Sequence, residues 1–250
     1  MDWDDQAIVL GVVGHGEAGA ILDCLSEAHG RYKGYVRGGR GRRQRGALQP
    51  GNVVRARWRA RVAEHLGTFS VELTRSSLGR ILDDADRLLA LSSACSLVAA
   101  GLPEREAHAP VFHGLAAFLD LVSDAELPLA GWGAGLVKFE VGLLQELGYG
   151  LDLTACAATG VTEDLIYVSP KTGRAVSREA GAPYKDKLLP LPGFLADPET
   201  GAEEEDIVAA LDLTGFFLGR HVLAATGGTL PQARDQLVAR LKKKHANTNI

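Results

Sequence analysis

Between residues 31 and 61 the chain carries eleven basic side chains and no acidic one: Arg31, Lys33, Arg37, Arg40, Arg42, Arg43, Arg45, Arg55, Arg57, Arg59 and Arg61. Cations at this density repel one another unless an anion lies beside them, and forked guanidinium donors match phosphate oxygens. The chemistry they support is non-covalent: neutralising a polyanion. At the centre of the run, Arg37-Gly38-Gly39-Arg40-Gly41-Arg42-Arg43-Gln44-Arg45-Gly46 interleaves arginines with glycines, which let the backbone approach such a ligand closely. The plainer alternative is a flexible, solvated loop. A second signal competes with the first. Gly14-His15-Gly16-Glu17-Ala18-Gly19 is a literal G-x-G-x-x-G after the apolar stretch 7–13, with Arg37 and Arg40 where the 2′-phosphate of NADP needs cations.

The elements that must carry these residues decide between the two. Arg55, Arg57, Arg59 and Arg61 alternate with Val54, Ala56, Trp58, Ala60 and Val62, so a strand there has one apolar face and one cationic face. Residues 31–37 repeat the design, with Arg31, Lys33, Tyr35 and Arg37 on one side and Tyr32, Gly34 and Val36 on the other. Residues 68–74 alternate too, with Phe69, Val71 and Leu73 inward. Further strands are expected at 6–13 and 18–25, with 27–30 as a turn. Five short amphipathic strands predict a five-stranded antiparallel OB-type β barrel over 1–76. Rossmann strands, buried on both faces, read instead as continuous apolar runs, and four arginines could not be buried there unpaired. Tyr35 falls on the basic face, where it stacks a base or serves as a plain surface tyrosine; Trp58 is expected in the core.

After residue 76 the period changes. Leu78, Ile81, Leu82, Leu88, Leu89, Leu91 and Val98 predict a helix over 78–99, and further helices are expected at 104–122, 130–147, 204–226 and 231–244. The predicted class is an α+β multidomain protein. A mostly helical domain over 77–250 follows the barrel, with 151–202 as a small irregular, β-hairpin insertion holding a strand at 165–168. Charge follows the same division: residues 1–75 hold twelve Lys and Arg against eight Asp and Glu, and the rest hold fifteen against 23. Glu203-Glu204-Glu205-Asp206 suits a helix start, and Lys242-Lys243-Lys244 a helix end.

At 46% apolar and 23% charged residues the chain is neither disordered nor, lacking eighteen consecutive apolar residues, membrane-spanning by helices. Three scattered cysteines exclude a disulfide framework, and the acidic start Met1-Asp2-Trp3-Asp4-Asp5 is unlike a secretory signal, so a cytoplasmic protein is expected. No P-loop, G-x-S-x-G elbow or H-E-x-x-H is present, and the seven histidines lack ligand spacing. Cys156 reads as a buried thiol rather than a nucleophile. An enzyme has no support: no catalytic residue, cofactor or metal is assigned.

Three motifs in combination, Val36-Arg37-Gly38-Gly39-Arg40, Leu48-Gln49-Pro50-Gly51 and the run from Phe139-Glu140 to Leu147-Gly148-Tyr149, resemble the bacterial RecO family of DNA repair proteins, over about residues 10–240. Residues 153–181 resemble its alphaproteobacterial branch. The resemblance implies a nucleoid-associated recombination mediator rather than an enzyme. Such proteins bind single- and double-stranded DNA through the OB fold and anneal complementary strands. With RecR they help RecA displace single-strand binding protein (SSB); RecF and RecA are indirect partners. The implied DNA contacts are the eleven cations and Tyr35. The acidic, Phe-terminated SSB tail is expected on Lys138 and Phe139, a cation beside an apolar surface, unless Phe139 is ordinary helix core. Two departures stand out. Many members hold zinc on two C-x-x-C pairs, whereas here Cys156 faces Thr159 in the first pair, and Ser177 and Ala180 replace the second, so no structural zinc is expected. Val12 and Val13 stand where relatives often carry a basic residue. The competing classes are an OB-fold RNA-binding adaptor and an NADP-dependent Rossmann enzyme.

Overall fold

Alternation at period two builds five strands: β1 (Asp2–His15), β2 (Gly19–Ser26), β3 (Gly30–Val36), β4 (Val53–Arg59) and β5 (Thr68–Arg75). A computed structural model describes residues 1–62, 64–77, 79, 81–197, 199–224 and 227–248. The side chains of Arg43 and Thr248, the expected core residue Leu78 and the end of the helix expected over 204–226 lie outside the described residues. The strands close into a barrel in the order β1-β2-β3-β5-β4. Four seams are antiparallel, but β3 and β5 run parallel at Tyr35↔Thr68 and Val36↔Phe69. The one parallel seam in this otherwise antiparallel barrel has a geometric reason: a ring of five strands has an odd number of seams, so strand direction cannot alternate all the way round.

The barrel core is Ala7, Val9, Leu22, Cys24, Val36, Leu48, Val54, Ala56, Trp58, Phe69 and Val71. Trp58 fills it at 2% exposure and donates its indole N–H to the Leu66 carbonyl at 3.0 Å. Gly34 makes room for Phe69 beside it, because a Cβ there would lie 2.5 Å from the Phe69 ring. Leu73, expected inward, is exposed instead, next to the point where the β4–β5 register shifts between Val53 and Val54. The G-x-G-x-x-G is the β1–β2 turn: His15 pairs with Gly19, Gly16 takes a φ of 64°, and a strand follows. With no helix N-terminus beyond it to receive a pyrophosphate, the Rossmann reading is overturned.

The chain divides into two compact units, Met1–Ala125 and Glu126–Ile250. The first adds α1 (Arg42–Ala47), α2 (Ala85–Gly101) and α3 (Ala109–Ser123) to the barrel. Helix α2 starts later than its apolar pattern because Asp84 caps it, accepting from the N–H groups of Asp86 and Arg87. The buried Arg87 guanidinium donates to the carbonyls of Val122 (2.8 Å) and Asp124 (2.6 Å) at the end of α3.

The second unit holds α4 (Leu129–Glu146), β6 (Leu165–Val168), β7 (Ala175–Ser177), α5 (Arg178–Gly181), β8 (Leu189–Pro190), α6 (Gly193–Ala196), α7 (Glu204–Phe217) and α8 (Gln232–Thr248). The expected hairpin is a three-stranded sheet, β7-β6-β8. Beside it the backbone N–H of Ser177 donates to the Cys156 sulfur at 3.3 Å. Burial raises the Cys156 pKa, but hydrogen bonds from Ser177 and Thr159 outweigh it and bring the thiol down to about 6. One thiol among hydroxyls does not fit a tetrahedral zinc, and among the described residues no three His, Cys, Asp or Glu converge. Nor, among the described residues, is any helix long and apolar enough to cross a membrane.

Three helices of this unit meet on one buried ion pair. Glu140 of α4 accepts from Arg234 of α8 at 2.8 and 2.9 Å and from the Thr214 hydroxyl of α7. Arg234 also donates to the Leu211 carbonyl. Burial opposes the charge on Arg234, but the Glu140 carboxylate more than offsets it and raises the pKa. Gly215 admits the guanidinium, since a Cβ there would stand 2.5 Å from Arg234 Nη1. Glu140→Ala is expected to cost about 3–5 kcal/mol in urea denaturation, because it strands a buried cation. Glu140→Leu with Arg234→Met should recover most of that loss; failure to recover would show that the wider hydrogen-bond network, not the charge balance, holds the helices.

Candidate nucleic-acid interface

Cross-strand register, which linear sequence hides, sorts the arginines. β1 pairs with β4 so that Asp2 faces Arg59, Asp4 faces Arg57 and Gln6 faces Arg55. The two oxygens of Asp4 accept from Nε of Arg55 and Nε of Arg57, each at 2.7 Å, and Arg59 lies 3.7 Å from Asp2. On the other flank β5 sets Glu72 opposite Arg55. Three guanidinium groups of β4 therefore share their face with three carboxylates. The Arg55 hydrogen bond, with that of Arg57, holds the Asp4 carboxyl below its usual range despite slight desolvation. Its pairing is thus complete above the ordinary carboxylate pKa and fades only as pH falls through the lowered value. Arg61 lies past the end of β4 and is exposed.

The cations of β3 are also engaged. Arg31 holds Asp23 through Nε (3.0 Å) and Nη2 (2.7 Å) and reaches the Leu102 carbonyl at 3.0 Å. Lys33 pairs with Glu104 at 2.7 Å. Tyr35 is half-buried, its ring edge-on to His15 at 6.0 Å and lying over Gly19, where any Cβ would overlap it.

The Arg/Gly segment differs from both strands. It is not a flexible loop but a tight turn followed by α1. Gly38 takes a φ of 67°, and Gly39 presses on Ala20, where a Cβ would stand 2.7 Å from the alanine Cβ. Arg40 donates its backbone N–H to Ala18 (3.1 Å) and Nη1 to the Gly16 carbonyl (3.2 Å), tying the turn to the β1–β2 hairpin. Buried Asn52 fixes the other end of α1, donating to the carbonyls of Gly46 (2.8 Å) and Ala47 (3.2 Å), while Leu48 anchors it in the barrel core. Arg37, Arg40, Arg42 and Arg45 are exposed, and none has an ion-pair partner among the described residues. Arg40 and Arg45 line a cleft of about 660 Å³, with Val12, Ala20, Leu48 and Pro50 among its walls.

Of the residues singled out in the sequence, the turn and α1 bring Arg37, Arg40, Arg42 and Arg45 together; the Arg43 side chain is outside the described set. Arg31, Lys33, Arg55, Arg57 and Arg59 sit against carboxylates. In the second unit Lys138 is exposed, but Phe139 is on the core side of α4 at 5% exposure, which leaves its ring no free face for a partner's phenyl group. Sequence reasoning missed Asp2 and Asp4, although their period-two spacing was visible, and Asn52, whose role no local pattern signals.

The fold is a closed OB-type barrel, with exposed arginines that lack carboxylate partners beside a cleft, in a chain that continues into a helical body. Residues 1–77 match the family model for the recombination protein O N terminal region, and residues 82–227 that for its C terminal region. The chain is 48% identical over 246 residues to the DNA repair protein RecO of Rhodospirillum rubrum, covering 97% of each. To that of Rhodospirillum centenum it is 48% identical over 252 residues, covering 100% of this chain and 98% of the other. With the Rhodopseudomonas palustris protein identity is 46% over 253 residues, covering both chains completely. The chain belongs to the RecO family of DNA repair proteins.

Asp4→Asn releases Arg55 and Arg57 together. If a bound single strand crosses β4, the slope of log K against log salt should steepen by about 1.4, two phosphates at about 0.7 each. An unchanged slope would exclude the β4 face from the binding path.

Proposed function

We propose that this chain is a DNA-annealing recombination mediator, acting by charge neutralisation rather than bond chemistry. The observation that carries the reading is the set of exposed cations without carboxylate partners among the described residues at Arg37, Arg40, Arg42 and Arg45. Asn52 and the Arg40 bonds fix the backbone that carries them, so that backbone need not be ordered when phosphates arrive. Complementary single strands repel each other; a surface that neutralises both lets their bases meet. Phosphate contacts read no base code, so sequence preference is small. Single strands and duplex both present phosphates, and both are ligands. With four or five phosphates engaged, log K on single strands should fall with log salt at roughly −3 to −3.5.

The family implies the partners. In this reading the protein works with RecR, and indirectly with RecF, to let RecA replace SSB on single-stranded DNA in the cytoplasm. The acidic tail of SSB meets the helical unit through cations such as the exposed Lys138, while Phe139 supports α4 from inside. No membrane is involved.

Annealing of two complementary oligonucleotides, one coated with SSB, is the test. The wild type should anneal them quickly at low salt and lose the activity steeply as salt rises. Arg40→Glu with Arg42→Glu should nearly abolish annealing while leaving thermal unfolding unchanged; annealing at the wild-type rate in that variant would refute the mechanism. Tighter binding of matched RNA than of DNA would move the function to an RNA adaptor, since a 2′-hydroxyl contact separates the two.

A further inference from the structure

The cleft beside Arg40 and Arg45 is built differently from a surface that only gathers phosphates. Its two cations come from separate elements, the turn after β3 and helix α1, and Arg40 is held in place by Gly16 and Ala18. Between them Val12 and Pro50, both half-buried, with the buried Ala20 and Leu48 behind them, form the apolar part of a lining that is otherwise polar. Gln49 adds one polar group; its amide N–H donates to the Arg45 carbonyl at 2.7 Å, which leaves the amide oxygen able to accept. Gly14 stands at the edge with no side chain, the nearest atoms to a Cβ there being those of Arg40 at 3.6 Å. At about 660 Å³ the space falls within the range of small-molecule sites.

Resting on the DNA-binding reading above, we infer that this cleft takes one unstacked nucleotide of a single strand, its phosphate between Arg40 and Arg45 and its base against the aliphatic walls. Charge decides the phosphate end. The apolar walls favour the face of a base over more phosphate backbone, which stays hydrated. A duplex cannot fill the cleft, because its bases remain stacked and paired; entry would require flipping one out. The cleft therefore separates single strands from duplexes at a site where the free arginines alone would bind either. The walls carry little hydrogen-bonding specificity, so any base is accepted.

The test compares two oligonucleotides of equal length, one with ordinary bases and one with abasic residues throughout, so that the phosphates match. Binding of the full chain is followed by fluorescence anisotropy across a salt series. The wild type should bind the base-bearing strand about tenfold more tightly, a factor of ten in K being about 1.4 kcal/mol, with the same salt slope for both. Gly14→Phe, which places a ring over the cleft, should reduce that ratio below about threefold. A diazirine carried on one base of the strand should cross-link the wild type at 12–14 or 48–50. Equal affinity for the two strands would overturn the cleft proposal and leave the phosphate-based function standing. A ratio unchanged in folded Gly14→Phe, or cross-links confined to other elements, would also overturn it. Failure of the wild type to bind either strand at low salt would instead overturn the DNA-binding function.

Discussion

Asp4 shared between Arg55 and Arg57 is the contact on which the distribution of usable charge in the first unit depends. It exists because the β1–β4 register sets odd-numbered arginines of one strand opposite even-numbered aspartates of the other. A shift of β1 by one residue in that register would turn Trp3 outward and leave the carboxylates facing the core, so barrel packing and surface electrostatics are fixed by the same pairing. Neutralising β4 internally has two consequences. The barrel avoids the self-repulsion that a stripe of unopposed arginines would cause, and the positive charge still free for a ligand moves to the turn and α1.

That turn is positioned by short-range constraints. Gly39 lies flat on Ala20, Arg40 bonds back to the β1–β2 hairpin, and Asn52 takes the carbonyls that end α1. A six-residue helix is too short to be stable by itself. Its place on the barrel is set by Leu48, buried in the core, and by Asn52. The second unit is organised by another charge device, Glu140 and Arg234 joining α4, α7 and α8 in a site fully removed from water. Surface pairs of the first unit are exposed and screened, whereas this one is not, so the two kinds of ion pair carry different weight.

Much of the fold was legible in the sequence because its signal was strictly periodic. Alternation located β4 and β5, and the sequence marked β6 at Leu165–Val168 and placed α4 within a residue of its ends. What escaped depended on non-local geometry. The start of β1 at Asp2, ahead of the apolar stretch, follows from pairing with β4. The parallel seam follows from counting strands in a ring. Helix α1 was hidden by glycines that signal a loop, yet Gly41 precedes it and Gly46 lies in its last turn. For the site, residue types pointed to polyanion chemistry, but neighbours in sequence are not neighbours on a sheet. Eleven cations without an acid between residues 31 and 61 looked uniform; Asp2, Asp4, Asp23, Glu72 and Glu104, all outside that stretch, divide them.

The same geometry explains why Gly14-His15-Gly16-Glu17-Ala18-Gly19 misleads. In a dinucleotide fold those glycines bring a backbone turn and a helix N-terminus up to a pyrophosphate. Here Gly16 lets a hairpin reverse direction, and Gly19 leaves space for the Tyr35 ring. The hairpin tip then becomes the support for Arg40, through the carbonyls of Gly16 and Ala18. A glycine pattern that elsewhere binds phosphate with its own N–H groups here presents carbonyls that fix a guanidinium instead. Polarity makes the difference: carbonyl oxygens turned outward repel an anion, and only the arginine they hold reverses the sign of the surface offered to it.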